Sequence, residues 1–447
     1  RNMVLFKTLT YSQKIVLGFI LLGLIGTLLL ALPISSKTGN WTPLLDSLFT
    51  SISALCVTGL TVYDTFTHWS FLGQLVILCL IQVGGIGFMT VIISISTGLG
   101  HKIGLHERQL LVESSGLLHS ANLSFLVKRI TIFVIMIEAI GAALLSIRFI
   151  PEFGIKTGIY YGVFHSISAF CNAGFDLMGR FGKYSSLTPY STDSLVILTV
   201  SILIFLGGLG FIVWDDILRY KLNFKKYSLH TKIVLITSIA FTLVGSILFL
   251  LIENNHIFKE VGVKGKILSS LFLSISPRTA GFNAVDLPML TNASIFLTIL
   301  LMIVGGSSGS TAGGLKVTTV AVLFFSAFDN SRRRPTSSIL KRRFSDNTIK
   351  QASAMFTFYL IIGSVGALIL SSLNSSTLEE IIFEVFSALG TVGITLGITP
   401  NLGALSKITL VVLMFVGRVG WMLLIFAIVG RNQQAPISRV SEEIIVG

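Results

Sequence analysis

Four short segments centred on glycine are the residues of this sequence whose types and spacing could do chemistry. SISALCVTGL (51–60) matches SISAFCNAGF (166–175), and weaker copies are SISPRTAGF (274–282) and FSALGTVGITLG (386–397). The central glycines, separated by 115, 107 and 112 residues, are Gly59, Gly174, Gly281 and Gly393. Glycine adopts backbone angles that other residues resist, so successive carbonyl oxygens can point toward one axis. Rings of such oxygens can replace the hydration shell of a cation, so these segments predict ion coordination.

The candidate carbonyl donors are the glycines and their immediate neighbours. In the first two segments they are Val57, Thr58, Gly59 and Leu60, and Asn172, Ala173, Gly174 and Phe175. In the last two they are Thr279, Ala280, Gly281 and Phe282, and Thr391, Val392, Gly393 and Ile394. The alternative is that these glycines only allow close packing of membrane helices. Helix-packing glycines do not predict the short apolar stretch that precedes each of them.

These four apolar stretches are the elements that must position the glycines. They cover 44–56, 160–171, 267–276 and 378–389, and each is too short to cross a bilayer, which favours re-entrant helices. Non-helical backbone at membrane depth is tolerated only where it is buried in protein or lines a watery cavity. Four such segments therefore predict one shared cavity, toward which the short helices direct the negative ends of their dipoles.

Composition and longer apolar runs place the chain in a membrane. Of 447 residues, 52% are hydrophobic and 12% are charged, whereas soluble domains carry roughly 25% charge. The runs at 14–32, 126–150, 231–252 and 350–372 are long enough to span. The predicted fold is an all-α integral membrane protein with eight transmembrane helices. It forms four repeats of helix, half-membrane segment, glycine turn and helix around a central pore.

The repeats give the predicted domain boundaries. Each of the first three includes the cytoplasmic loop that follows it, and the third has a broken second helix. The segments are repeat 1 at 1–120, repeat 2 at 121–230, repeat 3 at 231–349, repeat 4 at 350–430 and a cytoplasmic C-terminal tail at 431–447.

The positions of the basic residues predict the orientation. The net charge is +13, and the connections near 98–130, 218–232 and 328–350 hold 4, 5 and 7 Lys and Arg residues. By the positive-inside rule these loops and both termini are cytoplasmic. The charge is thus explained without nucleic acid as a partner.

A second repeated motif, called the landmark here, follows each of the four central glycines, which we call the filter glycines. QVGGIGF (82–88) and FLGGLGF (205–211) match each other, and IVGGSSG (303–309) and FVGRVGW (415–421) occupy corresponding places. The equivalent positions are Gly85, Gly208, Gly306 and Arg418. A cation within the membrane is costly, so a functional role for Arg418 is the first expectation. Pairing with Glu138 or another carboxylate is the alternative.

On these motifs the chain resembles the Trk/Ktr/HKT superfamily of potassium transporters, and within it the membrane subunit of a bacterial Ktr system. The resemblance covers roughly 10–430 and implies four M1–P–M2 units, with one filter glycine in each. It also implies a gate below the filter, formed by Arg418 and by an intramembrane loop that matches GGSSGSTAGGLK (305–316). The gate residues in this loop are Gly305, Gly306, Ser307, Ser308, Gly309, Ser310, Thr311, Ala312, Gly313, Gly314 and Lys316. Its Gly and Ser/Thr content itself predicts a broken helix.

The resemblance implies a function and partners as well. It implies potassium uptake across the cell inner (plasma) membrane, with sodium as a second ion, by a homodimer. A cytoplasmic RCK-type regulatory ring would bind the nucleotide, ATP/ADP or NAD. The chain itself lacks a G-x-G-x-x-G fingerprint and is expected to hold no cofactor. Membrane lipids are a further partner of its basic loops.

Two other classes of function remain as alternatives. A secondary transporter built from inverted repeats also uses broken helices, but it predicts two long repeats of opposite topology rather than four short ones. A membrane enzyme could use His101, His106 and Glu107, but H-x-x-x-x-H-E does not have metalloprotease spacing.

Overall fold

A computed structural model describes residues 9–87, 123–221, 223–332, 338–339, 342–420, 423–425 and 427. Apart from turns and one hairpin of two-residue strands, the regular structure in these residues is helical, which confirms the predicted all-α class. Most of the loop near 98–130, with His101, His106 and Glu107, and the tail at 431–447 lie outside the described residues.

Each quarter of the chain contains a long helix, a short helix and a further helix in that order, and each of the first three quarters has one additional helix. The first quarter contains α1 (Tyr11–Ala31), α2 (Leu44–Leu55), α3 (Thr65–His68) and α4 (Phe71–Ile86). The second contains α5 (Leu123–Phe153), α6 (Ile155–Phe170), α7 (Ser194–Leu209) and α8 (Phe211–Tyr220). The third contains α9 (Leu229–Glu253), α10 (Val263–Ile275), α11 (Asn292–Ile303) and α12 (Val317–Ser331), followed by the antiparallel hairpin β1 (Ser338–Ile339) and β2 (Arg342–Arg343). The last contains α13 (Asp346–Leu373), α14 (Leu378–Leu389) and α15 (Ala404–Val419).

Four helices in the described ranges are long and apolar enough to cross a bilayer. They are Ser12–Ala31, Lys128–Phe153, Leu229–Glu253 and Asp346–Leu373. The pair α7 and α8 would make a fifth, although the two helices meet at 97°. Helices α4, α11 and α15 are shorter, with 16, 12 and 16 residues. The eight-crossing arrangement therefore stays a prediction.

The short helices that precede the filter glycines are α2, α6, α10 and α14. Helix α14 has both predicted ends, whereas α6 begins at Ile155 and α10 at Val263, each a few residues before the predicted start. Both earlier starts follow a glycine, Gly154 or Gly262, which begins the helix where apolar content alone gives no signal.

A serine joins the short helix to the long helix before it in three of the four quarters. Each donates a side-chain hydrogen bond to a carbonyl oxygen of the long helix: Ser51 to Gly23 (2.8 Å), Ser166 to Glu138 (2.6 Å) and Ser274 to Thr242 (2.8 Å). The serine hydroxyls thereby find partners within the protein, which polar groups in the hydrocarbon region need. These three hydrogen bonds fix the positions of α2, α6 and α10 against the long helices that precede them.

The long helices turn large apolar side chains outward. Leu28 is 64% exposed, Ile147 63%, Leu251 71% and Leu368 71%. Large apolar side chains exposed to this degree on every long helix are unfavourable in water and suited to lipid. The chain is a multi-pass membrane protein.

Candidate functional site

Each filter segment has two residues in the left-handed backbone region. One is the central glycine, with φ of 96° at Gly59, 69° at Gly174, 82° at Gly281 and 93° at Gly393. The other, two positions earlier, is not glycine: Val57 (φ 57°), Asn172 (59°), Thr279 (84°) and Thr391 (51°). Non-glycine residues in this region are strained and concentrate at functional sites. Four segments share this irregular backbone, although their side chains differ.

The four filter glycines form a closed ring. A methyl group on each would collide with the carbonyl oxygen that precedes the glycine of a neighbouring segment: Gly59 with Ala173 (2.5 Å), Gly174 with Ala280 (2.8 Å), Gly281 with Val392 (2.7 Å) and Gly393 with Thr58. Each segment thus contacts the next, and the fourth contacts the first. Segments separated by more than 100 residues meet at one axis.

The inner carbonyl oxygens of the filters are free to face that axis. Within the described part of the chain, no hydrogen bond is donated to the carbonyl oxygens of residues 57–59, 172–174, 279–281 and 391–393. Three filter hydroxyls, those of Thr58, Thr279 and Thr391, are also buried without a hydrogen-bond partner there. Buried polar atoms are normally paired, so an unpaired set at one place suits a polar or charged ligand.

Serines at the ends of the short helices hold the filters from behind. Ser53 accepts a bond from the Gly59 amide (3.1 Å), and Ser387 accepts one from the Gly393 amide (3.1 Å). In the other direction, hydroxyls donate to the carbonyl oxygen just after the glycine: Ser168 to Phe175 (2.6 Å), Ser276 to Phe282 and Ser387 to Ile394 (2.6 Å). The carbonyls of Phe175, Phe282 and Ile394 are therefore engaged on the helix side. Leu60, at the same position of the first filter, is fully buried.

The third segment is one residue shorter than the others, and the structure compensates for it. Ser276 lies five residues before Gly281, whereas Ser387 lies six before Gly393. Helix α10 ends at Ile275, so Ser276 is already beyond the helix and still reaches the carbonyl oxygen of Phe282. The bond from the serine hydroxyl to the carbonyl oxygen after the glycine is therefore present even though this segment is one residue shorter.

Three of the four landmark positions have the same structural surroundings. In three units the glycine just before the landmark approaches the carbonyl oxygen of the last residue of the short helix: Gly84 to Leu55, Gly207 to Phe170 and Gly417 to Leu389. The landmarks Gly85, Gly208 and Arg418 accordingly lie at matching heights below the filters. In these units the helix then meets a left-handed glycine, Gly87, Gly210 or Gly420.

The third unit has an irregular segment here, which runs from Val304 to Lys316 between α11 and α12. It lies directly against three filters. A methyl group on Gly313 would collide with Thr391, and one on Gly305 would lie 3.4 Å from the Thr279 side chain. The hydroxyl of Thr311 lies 3.2 Å from the side-chain amide of Asn172.

Hydrogen bonds anchor this segment to its neighbours. The amides of Ser307 and Thr311 donate to Gly208 (2.9 Å) and Gly207 (3.3 Å), and the Gly314 amide donates to Gly417 (3.1 Å). In return, the Phe211 amide at the start of α8 donates to Gly309 (2.8 Å).

Further hydrogen bonds, one between backbone groups and three made by side chains, close the loop on itself. Bonds run from Val317 to Gly306 (3.0 Å), from Ser310 to Ser307 (2.6 Å), from Lys316 to Ala312 (2.8 Å) and between the hydroxyls of Ser308 and Thr318 (3.4 Å).

Arg418 crosses the space below the filters. Its guanidinium donates to the carbonyl oxygens of Thr311 in the loop and of Gly84 and Gly85 (3.2 Å) at the end of α4. Glu138, the alternative partner, instead accepts a bond from Gln82 (3.0 Å). Arg418 thus joins the first, third and fourth units through neutral oxygens.

The outer side of the ring carries four polar residues that the sequence reasoning missed. They follow each filter glycine by two positions, all are half-buried, and they are Thr61, Asp176, Asn283 and Thr395. The signal was available, because the position is polar in all four segments. Burial raises the pKa of the Asp176 carboxyl to about 7, and the nearby charge of Asp64 contributes.

The residues that the structure describes contain no group of three or more His, Cys, Asp or Glu side chains that could hold a metal ion. The coordinating groups available at the ring are backbone carbonyls and hydroxyls, which are the hard oxygen donors of alkali cations.

Comparisons with known proteins match nearly the whole chain. Residues 5–436 fit the family model described as TrkH, cation transport protein. The potassium/sodium uptake protein NtpJ of Enterococcus hirae is 40% identical over 434 residues, which are 96% of this chain and 95% of that protein. The Ktr system potassium uptake protein B of Bacillus subtilis is 38% identical over 382 residues, 85% and 84% of the two chains.

A solved structure has the same fold. The crystal structure of the potassium transporter TrkH from Vibrio parahaemolyticus matches with a TM-score of 0.73 and 19% sequence identity, covering 93% of this chain and 84% of that chain. At this identity the match supports the fold alone.

Proposed function

Because this chain belongs to the TrkH family of cation transport proteins, we propose that it takes up potassium through the ring of filter glycines. Its relatives are uptake proteins, so the chain is a transporter and not an enzyme. The ion is assigned from their names, which specify potassium/sodium uptake in one case and potassium uptake in others.

The observation that carries this proposal is the closed ring of carbonyl oxygens. Thr58, Ala173, Ala280 and Val392 each direct a carbonyl against the glycine of an adjacent segment. A cation that enters such a ring exchanges water oxygens for protein oxygens at little cost in free energy. The short helices α2, α6, α10 and α14 add the negative ends of their dipoles. The same ring would repel anions.

The proposed arrangement is four M1–P–M2 repeats with eight crossings in the cell inner membrane. The repeats are 1–120, 121–230, 231–349 and 350–430, with both termini and the tail at 431–447 in the cytoplasm. Support comes from the fourfold order of helices and from the basic residues in the connecting loops.

The gate in this proposal is Arg418 together with the segment at 305–316. The segment lies against the side chains of three filters, and Arg418 ties it to the end of α4. A fixed positive charge there opposes a permeating cation. At 4 Å and an effective dielectric near 20, the repulsion is about 4 kcal/mol.

The proposed assembly is a homodimer regulated by a cytoplasmic RCK-type ring. Two relatives are named as components of Ktr systems, which favours a separate regulatory subunit. That subunit, rather than this chain, would bind ATP/ADP or NAD, while sodium would be a second ion at this chain. Exposed Arg332, Arg342 and Arg343 offer a basic cytoplasmic surface to the partner or to anionic lipid.

Rubidium uptake into proteoliposomes that contain the purified chain tests the proposal, with potassium, sodium and an organic solute as competitors. We expect uptake that potassium suppresses at lower concentration than sodium. Uptake that neither cation suppresses, in protein that is folded and inserted, would overturn the assignment and favour another solute.

A further inference from the structure

A fully buried glutamate stands behind the fourth filter. Glu384 lies in α14, three residues before the anchoring Ser387, and has 0% of its surface exposed. Its two carboxylate oxygens each accept a hydrogen bond, one from the hydroxyl of Thr395 (2.7 Å) and one from the hydroxyl of Thr399. Both threonines come after Gly393, so Glu384 reaches past the filter to the outer side of the ring.

This glutamate is costly to bury. No Lys or Arg of the described ranges lies within ion-pair distance of it. An ionisable group within a membrane protein without such a partner marks a functional site by default. Neither the carbonyl ring nor the gate uses this side chain.

The positions equivalent to Glu384 in the other units show which filters have an ionisable side chain bonded to the residues that follow the glycine. Counting three residues before each anchoring serine gives Thr50, His165 and Leu273. His165 is also fully buried, and its Nε2 accepts a bond from the Leu177 amide (3.2 Å), three residues after Gly174. Among the described residues, the Thr50 hydroxyl donates only to the Asp46 carbonyl oxygen of its own helix (2.9 Å), and the Leu273 side chain has no polar group. The second and fourth filters are therefore held from behind by an ionisable side chain.

Thr395, which donates to Glu384, is also bonded to the backbone beyond the ring. The Thr395 hydroxyl accepts a bond from the Gly397 amide (3.0 Å), and Gly397 has a φ of 104°. Ser387 holds the Gly393 amide and the Ile394 carbonyl one turn further along α14. One helix thus fixes Gly393, Ile394 and Thr395 in succession, and the last bond in the series depends on Glu384.

We infer that Glu384 is a positioning residue for ion selectivity, acting through Thr395 on the outer end of the fourth filter. This inference rests on the proposed function. Losing the Glu384–Thr395 bond frees residues 395–397 to move, which lets the ring widen on one side. A wider ring discriminates less well between potassium and the smaller sodium ion.

Four variants in proteoliposomes test this role. Glu384→Leu removes both acceptors, and Thr395→Val removes the hydroxyl without changing the size of the side chain. Thr395→Ser keeps the hydroxyl, and Thr50→Val is the matched control at the equivalent position of the first unit. The ratio of sodium to potassium concentrations that halve rubidium uptake is measured, with thermal stability as a check on folding.

The ratio should fall about two- to tenfold in Glu384→Leu and Thr395→Val, the factor that one buried hydrogen bond is worth. Thr395→Ser and Thr50→Val should keep the original ratio. An unchanged ratio in folded Thr395→Val overturns the inference even if Glu384→Leu does not fold. Failure of the unmodified protein to prefer potassium would instead contradict the proposed function.

Discussion

Arg418 donates a hydrogen bond to the carbonyl oxygen of Thr311, a residue 107 positions earlier in the sequence that lies against the second filter. The bond crosses from the fourth unit to the third, and Arg418 also contacts the carbonyl oxygens of Gly84 and Gly85 in the first. One side chain therefore ties the loop at 305–316 to the first and fourth units and places a positive charge beside that loop.

Arg418→Ala should raise rubidium flux when no cytoplasmic partner is present. The variant removes both the charge and the bonds to Thr311 and Gly84. Loss of the charge alone would raise the flux by at most roughly a thousandfold. Flux through proteoliposomes measures the effect. Arg418→Gln retains donors without the charge, so an increase in both variants identifies the charge as the barrier. Arg219→Ala, at an exposed residue of α8, is the control. Flat flux in Arg418→Ala would place the barrier elsewhere.

Gly393→Ser and Gly281→Ser should each reduce discrimination between potassium and sodium. Both glycines have positive φ, and a Cβ on either would collide with the carbonyl oxygen of Thr58 or Val392. Gly403 and Gly262 are matched controls in the same units, because a Cβ there meets nothing within 4 Å. Both begin helices, where serine is a favourable residue. Equal selectivity in the filter variants and the controls would contradict the filter assignment.

Potassium uptake should increase with external pH between about pH 6 and about pH 8, one unit either side of the pKa of Asp176. Burial raises this pKa to about 7, so the carboxyl is mainly protonated below that pH and ionised above it. The ionised form attracts cations to the outer mouth. Asp176→Asn should flatten the profile, whereas Asp286→Asn, at an exposed position, should leave it unchanged. A profile that keeps its slope in Asp176→Asn rules out this carboxyl.

Ser387→Ala should destabilise the protein by about 1–3 kcal/mol, because it leaves the Gly393 amide and the Ile394 carbonyl buried without their partner. Thermal unfolding in detergent, followed by fluorescence, measures the change. Ser371→Ala, at an exposed position of α13, should be neutral. A Ser387 variant as stable as the control would mean that the filter backbone finds other partners.

The repeated pattern of the sequence was sufficient to locate the four short helices and the glycine that follows each of them. Apolar content alone placed both ends of α14 at 378–389, and in the structure Thr377 and Glu380 form a capping box at its start. Gly59 and Gly393 were identified from the fourfold repeat, and the structure gives both a positive φ, a backbone geometry that favours glycine.

Contacts between distant parts of the chain could not be predicted in this way. The partners of Arg418 depend on how the first, third and fourth units pack, and no local pattern distinguishes a carbonyl oxygen from Glu138 as its acceptor. The apolar helix around Glu384 gave no hint that Thr395 and Thr399 would fold back to it. The starts of α6 and α10 were missed because glycines, rather than apolar residues, begin them.

The ring of filter glycines is made by one polypeptide, and this has a genetic consequence. In a ring of four identical subunits, every mutation appears four times, so a cation at the level of Arg418 would face three copies of itself. At an effective dielectric near 20, each such pair 4 Å apart would repel by about 4 kcal/mol. In a single gene that encodes all four quarters, a change enters once and the other three positions stay glycine. Arg418, Glu384 and Asp176 are each found in one quarter only, which is the kind of asymmetry that such a gene can acquire one codon at a time.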